Sequence, residues 1–442
     1  MGIPSAPRGL PRRRFLSGLG ASALVAGLGS AGLAGCGSNT GRPSADSSSS
    51  ASGGSSGGPK PALSQWYHEY GEDGVEDAVK RYAAAYDQAS VSVRWNPGDY
   101  DKLASAALLT ADVPDVFEYG NGPTLDMIRA GQVLDLTEVL GDAASQFSKP
   151  VLDAMTWEGK VYAVPQTVDM QMVFYRRSVL EKAGVAPPQT FADLVAAAKA
   201  VTTKDMGGFF AGNDSGVAVL ASMLVWAAGK EQLNADQTGI GFDDADGYAA
   251  FAAYRDLATS GALVKSASAD WFDAGPLTNG ETAMQWTGLW TLPDVQKALG
   301  DDFGVLPFPA IGANGRPAVP FGSYGSIVTA KGKDPDAAKA FVKWLWVDQE
   351  ADQVDFSNSY GTHIPAKPSL VPQATKIATG PGAEAAKFVD QLGHAPSKLW
   401  TPATSNALTA ALTRVITKNA DPKTEIAQVA ATAKTEIARA KS

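Results

Sequence analysis

One cysteine, Cys36, serves the whole 442-residue chain. No disulfide can therefore brace any part of it, and the fold must rest on buried apolar surface. The same residue marks where folding can begin. Ahead of it, Arg12-Arg13-Arg14-Phe15-Leu16 leads into an apolar run from Leu19 to Leu33, too short and too glycine-rich for a permanent membrane span. Behind it, 15 of the 24 residues from Gly37 to Lys60 are Gly or Ser. Such a stretch has nothing to bury and reads as a flexible tether, with a reach on the order of 25–30 Å. The 382 residues that remain exceed one comfortable core, so two domains are expected.

A basic start, a short apolar run and small residues at a cleavage site are the parts of an export signal. The arginine pair before Phe15-Leu16 resembles a twin-arginine signal, with an ordinary secretory leader as the alternative. Leu33-Ala34-Gly35-Cys36 resembles a bacterial lipobox, in which Cys36 is lipidated and becomes the mature N-terminus. Residues 1–36 then read as the export signal and 37–60 as the tether. The protein would sit on the extracytoplasmic face of the cell membrane, with the Cys36 lipid as its only membrane contact. Without the leader's four arginines the chain keeps 33 basic against 46 acidic residues, a balance of −13. Nothing in that balance suggests nucleic acid as a partner. Two G-x-S-x-G matches inside the tether lack the strand and helix of a nucleophile elbow. A glycine pattern at Gly27 to Gly32 falls inside the leader and carries no dinucleotide site.

The body alternates strand and helix. Leu63 to Tyr67 reads as a strand, and Val75, Ala78, Val79, Tyr82, Ala83 and Tyr86 fall on one helical face. Val91, Val93 and Trp95 alternate as a second strand, a short helix spans Tyr100 to Thr110, and Asp115 to Tyr119 is a third strand. This order predicts parallel βαβ units, with ligands beyond the carboxyl ends of the strands. Those ends are His68-Glu69-Tyr70-Gly71 and Glu118-Tyr119-Gly120-Asn121. Glu158-Gly159 predicts a turn, Met170 to Tyr175 a strand, and Thr190 a cap for a helix from Phe191 to Val201. Further helices are expected over Val217 to Ala228 and Asp244 to Thr259, the first with Gly212-Asn213-Asp214-Ser215 at its mouth.

Asn279-Gly280-Glu281-Thr282-Ala283-Met284-Gln285-Trp286-Thr287-Gly288-Leu289-Trp290 resembles the "G-K/E-x-A-M-x-x-x-G-x-W" segment of family 1 extracellular solute-binding proteins, the receptors of ABC importers. Gly159 to Pro165, Phe303 to Pro309 and the helix Pro335 to Gln349 agree in the same order. The likeness spans about residues 63 to 435. It implies an α/β fold of two lobes, each built from discontinuous chain, closing on a ligand in the cleft. The crossings are expected near Val168, near Gly322 to Ile327 and near Ile364 to Lys367. The first lobe would then be 61–168 plus about 328–365, and the second 169–322 plus about 366–442. C-terminal helices Ser405 to Ile416 and Thr424 to Ile437 would belong to the second.

The resemblance also implies a carbohydrate ligand, a permease partner, a monomer, no catalysis and no cofactor or metal. A sugar needs carboxylates and amides for its hydroxyls and flat rings for its C–H faces. Trp290 ends the matching segment and is expected in the cleft, with core packing as the other reading. Trp286, on the same strand, is open between cleft and core. Trp400 and Asp169 match a cleft Trp and a ligand-binding acid of the family. Glu69, Tyr119 and Asn121 are candidates as strand-end residues. Ser323 and Tyr324 belong to a Gly-flanked stretch that would bring backbone close to the ligand. His363, one of three histidines, and Asp214 are further candidates. The alternatives are the same fold with a non-sugar solute, or an extracytoplasmic glycoside hydrolase, for which 46 acids always allow a carboxylate pair.

Overall fold

A computed structural model describes residues 59–441. The export signal, Cys36 and nearly all of the tether lie outside the described residues. Strand β1 (Ala62–His68) pairs in parallel with β2 (Ser90–Asn96) and β3 (Val116–Gly120), and helices Val75–Ala85 and Tyr100–Ala107 make the crossovers. The first helix buries Val75, Ala78, Val79, Tyr82 and Ala83, the face its periodicity marks. Strands β4 (Thr156–Trp157) and β5 (Lys160–Val161) form a hairpin over Glu158-Gly159. Both turn residues have positive φ, 49° and 75°, as a tight hairpin turn between right-twisted strands requires.

The next strand, β6 (Val164–Tyr175), is 12 residues long and begins well before the expected Met170. Its register against its neighbour shifts between Tyr324 and Gly325, where Pro165 pairs. An irregularity there accommodates a proline that cannot donate to the ladder. The remaining strands are β7 (Gly207–Phe210), β8 (Leu263–Val264), β9 (Thr282–Gly288), β10 (Gly304–Leu306), β11 (Val319–Val328), β12 (Ile364–Pro365) and β13 (Gly393–His394). They join in the order β2-β1-β3-β11-β6-β9-β7-β8, with β10 and β12 against β6 and β13 against β11.

Strand β6 links the two ends of this sheet. Val164 to Met170 pair with β11, while Gln171 to Tyr175 pair with β9. One core, with Tyr67, Tyr82, Phe117, Phe341 and Trp346, gathers at the β1–β3 end. A second, with Leu194, Phe209, Phe251, Trp286, Leu412 and Ile426, gathers at the β7–β9 end and takes in helices Pro402–Lys418 and Pro422–Lys441. The first core also includes Leu277, Leu292, Phe303, Phe321 and Val389, so it is not confined to the β1–β3 end. The helix expected from Pro335 to Gln349 is α-helical only to Lys343 and widens into a π turn over Trp344–Asp348. The wide turn seats three consecutive residues, Leu345, Trp346 and Val347, in the core. Among the described residues no helix is long and apolar enough to cross a membrane.

Candidate functional site

The floor of the site is the middle of β6. Along it Val168, Met170 and Met172 are buried, while Asp169 and Gln171 are half-buried and share the opposite face. Asp169 pairs across β11 with Gly322, an exposed glycine with open space where a side chain would stand. On its other side, the register of β12 against β6 puts His363 opposite it. His363 Nδ1 lies 2.7 Å from Asp169 Oδ1, and Nε2 lies 3.4 Å from Glu72 Oε1. The ring is only 4% exposed. Burial alone would strip its proton, but the Asp169 carboxylate, with Glu72 behind it, outweighs burial and raises its pKa to about 10. Glu72 is held below the usual carboxylate range, chiefly by its hydrogen bond to His363.

One wall rises from β1 and β3. Glu118 is 1% exposed. It accepts from the His68 backbone N–H (2.8 Å), sits 2.5 Å from His68 Nδ1, and accepts from the Tyr70 hydroxyl (2.9 Å). Gln166, its amide turned to suit both partners, donates to Glu118 Oε2, the oxygen that also accepts from Tyr70, at 2.9 Å and accepts from Trp346 Nε1 at 3.2 Å. Burial, and then the Glu118 charge, push the Tyr70 hydroxyl far above the ordinary tyrosine range. The His68 ring stacks on Tyr324 at 4.2 Å and 18°. Tyr324 is half-buried beside Tyr119, which is half-buried too. Asn121 takes a left-handed conformation (φ 56°) that lets it bond Ser323 twice, by its N–H to the carbonyl (2.7 Å) and by its Oδ1 to the N–H (3.0 Å). Glu69 is exposed, with its backbone N–H on Asn96.

The other wall comes from the loop before β9 and the turn after it. The half-buried Trp290 ring folds back over Gly288, where any side chain would strike it. Its indole N–H donates to the Phe272 carbonyl at 2.9 Å, and Trp271 meets it edge-on at 5.9 Å. Phe272 is 57% exposed. Asp270 pins this loop by accepting from the Trp271 N–H (2.8 Å) and the Asn213 N–H (3.1 Å). Asp214 accepts from the Gly216 and Ala218 N–H groups, both at 2.8 Å, and so caps helix Val217–Ala227. Because Gln171 pairs with Gly288, the floor strand adjoins β9, which leads into the turn that carries Trp290.

Tyr119, Asn121 and Trp400 line a groove of about 680 Å³ together with Leu109 and Lys398. Trp400 is 6% exposed, and its indole N–H has no hydrogen-bond partner among the described residues. Lys398 donates to the carbonyls of Asn121 (3.1 Å) and Pro123 (3.0 Å). Burial lowers its pKa to about 8.

Three readings need correction. Trp286 is a core residue: fully buried, edge-on to Phe308 at 5.6 Å, with its N–H on Gln171 Oε1 at 3.1 Å. Ser323 is 2% exposed, and its backbone N–H and carbonyl, expected beside the ligand, are both taken by Asn121, at 3.0 and 2.7 Å. His363 faces a carboxylate with each ring nitrogen, leaving neither for a ligand. The readings from sequence placed His68 and Glu118 at the strand ends without a role of their own, and missed Glu72, Gln171, Trp271, Phe272 and Lys398. Only Gln171 had a local signal, its two-residue spacing from Asp169 on a strand. Among the described residues no His, Cys, Asp and Glu side chains gather in a way that could hold a metal ion.

Comparison with known proteins agrees with this architecture. The family model for bacterial extracellular solute-binding protein matches residues 72–350. The chain is 29% identical over 160 residues to the melibiose/raffinose/stachyose-binding protein MelE of Bacillus subtilis, an overlap of 34% of this chain and 36% of that one. It is 33% identical over 92 residues to the diacetylchitobiose binding protein DasA of Streptomyces coelicolor, 21% of each chain. The matched stretches thus span well under half of these relatives. The sugar-binding protein MalE of Xanthomonas citri superposes with a TM-score of 0.74 at 18% identity, covering 86% of this chain and 98% of that one. Such a likeness shows a shared two-lobe fold. With a family model matched from the loop after β1 to beyond the π turn, and the whole described body in that fold, the chain belongs to the bacterial extracellular solute-binding proteins.

Proposed function

We propose that this protein is a lipid-anchored receptor that captures a carbohydrate, from mono- to oligosaccharide, and delivers it to the permease of an ABC importer without altering it. The observation that carries this reading is the junction of β6 and β9. There a carboxylate and an amide, Asp169 and Gln171, adjoin an aromatic wall of Trp290, Trp271 and Phe272. Hydroxyls need the first kind of partner and the C–H face of a pyranose the second. Tyr119 and Trp400 extend the ring surface along the groove. The named ligands of MelE and DasA are oligosaccharides, which supports the same class here. A cationic solute such as a polyamine is less well matched, since His363 already neutralises part of the acid at the floor.

The lobes would divide as 61–168 plus about 328–365 and 169–322 plus about 366–442, with β6, β11 and the chain before β12 as hinge strands. The leader and Cys36 supply the anchor: Cys36→Ala should release a folded protein from the membrane fraction, and its retention there would refute the lipid. Arg12→Lys with Arg13→Lys should block export if the route is twin-arginine, because such a signal presents guanidinium groups. The ligand itself is found by a thermal-shift screen against melibiose, raffinose, diacetylchitobiose and maltose, with spermidine and glutamate as controls. A ligand that binds only the folded state adds about 2.7 kcal/mol at a hundredfold excess over Kd. A shift with spermidine or glutamate and none with any sugar would overturn the carbohydrate reading.

A further inference from the structure

The strands that would cross between the lobes come together around one buried imidazole, that of His363. Asp169 is on β6, Gly322 beside it on β11, and His363 opposite it one residue before β12. Glu72 reaches the same imidazole from the loop after β1. Residues from the β1–α connection and from two crossing strands therefore share one ring. We propose that His363 is a positioning residue: as an imidazolium bridging Glu72 and Asp169, it fixes the Asp169 carboxylate, leaving Oδ2 turned to the ligand. The inference rests on the reading that Asp169 meets the solute.

Two observations support the bridge independently. Both ring nitrogens face carboxylate oxygens, an arrangement that only the doubly protonated ring satisfies, since a neutral imidazole has one donor. The raised pKa of His363 agrees with that protonation. The chain also makes room for the ring. Gly361 has φ −108° and ψ −162°, values open to any residue, yet a methyl group there would fall on His363 Nε2. The glycine is needed for the imidazole, not for the backbone. Other charges stand one step away. Lys376 donates to the Gly361 carbonyl at 2.9 Å, and its charge and that of His68 act on Glu72, while Asp169 acts on Tyr324.

A charge-assisted bond of this kind restricts a carboxylate to one rotamer. A ligand hydroxyl then finds Asp169 already oriented and does not pay for ordering it. The bridge also ties Glu72 on the first lobe to the hinge strands, so the floor keeps its shape while the lobes move.

The test has two arms on the whole protein. In the first, the imidazole nitrogens are followed by NMR through a pH titration, the His363 signals being those lost in His363→Gln. Both nitrogens should stay protonated at pH 8, and the midpoint should fall in Glu72→Gln and in Asp169→Asn. A His363 that is neutral at pH 7, or a midpoint indifferent to both substitutions, overturns the bridge. In the second arm, melibiose, raffinose, diacetylchitobiose and maltose are titrated calorimetrically into wild type, Gly361→Ala and His363→Ala. Both variants should bind at least tenfold more weakly than wild type, with Gly361→Ala keeping its charge complement. Wild-type affinity in folded Gly361→Ala and His363→Ala would overturn the positioning role. If wild type binds none of these sugars, the carbohydrate reading fails, and the ring titration still decides the bridge.

Discussion

Trp286 and Trp290 stand four positions apart and meet opposite surroundings. Trp286 is enclosed between Phe308 and Gln171, whereas the half-buried Trp290 is fastened by its N–H and lies over a glycine. Truncating the first should cost stability, about 3–5 kcal/mol for a buried Trp. Truncating the second should cost affinity, roughly 2 kcal/mol or about thirtyfold for a central aromatic anchor. Denaturant melts and sugar titrations on Trp286→Ala and Trp290→Ala separate the two. A Trp290→Ala that melts early yet binds normally would move that ring into the core. His363 has its own signature. Its folded pKa of about 10 lies above the ordinary value near 6.5. Its stabilisation is thus complete below about pH 6.5 and is lost as pH rises through 10. The stability difference between wild type and His363→Leu should shrink over that window, and a difference that is flat with pH would contradict it.

Among the elements, the segment Pro396–Trp400 and the turn Asn121–Pro123 are joined by the Lys398 ammonium on two carbonyls, with no acid paired to it among the described residues. Its pKa is lowered, so the fold disfavours its charge below about pH 8. That penalty is relieved as pH rises from about 8 toward the ordinary lysine value near 10.4. Wild-type stability should therefore rise relative to Lys398→Met across that window; a relative fall would contradict the burial of this charge. Local elements were legible because their causes are local. Val75, Ala78, Val79 and Tyr82 repeat at helical spacing, and Thr190 and Asp193 form a capping box that starts helix Phe191–Val201. Glu158-Gly159 could only be a turn. Strand β6 starts six residues before the expected Met170, and only the pairing of Pro165 with Gly325 shows how a proline is accommodated in it. The proposed site was legible at its ends, at Asp169 and Trp290. Its middle was not, since Asp169 meets His363 across 194 positions of sequence and Glu118 meets His68 across 50. No periodicity encodes such pairings.

For the molecule as a whole, one continuous strand, β6, carries the floor from the first core to the second, and β11 returns beside it. Two lobes joined in this way can rotate as near-rigid bodies about the crossings. Small-angle scattering should show a smaller radius of gyration at saturating sugar, and an unchanged radius would exclude closure. The receptor reading as such stands on a neutral sugar meeting carboxylate floor and aromatic wall together. Calorimetric titration of melibiose, raffinose, diacetylchitobiose and maltose into wild type, Asp169→Ala and Trp290→Ala puts that to the test. At least one of these sugars should bind wild type saturably, with a negative heat-capacity change from ring burial, and each substitution should weaken it tenfold or more. No binding by any of the four, or binding that both substitutions leave untouched, would contradict the account.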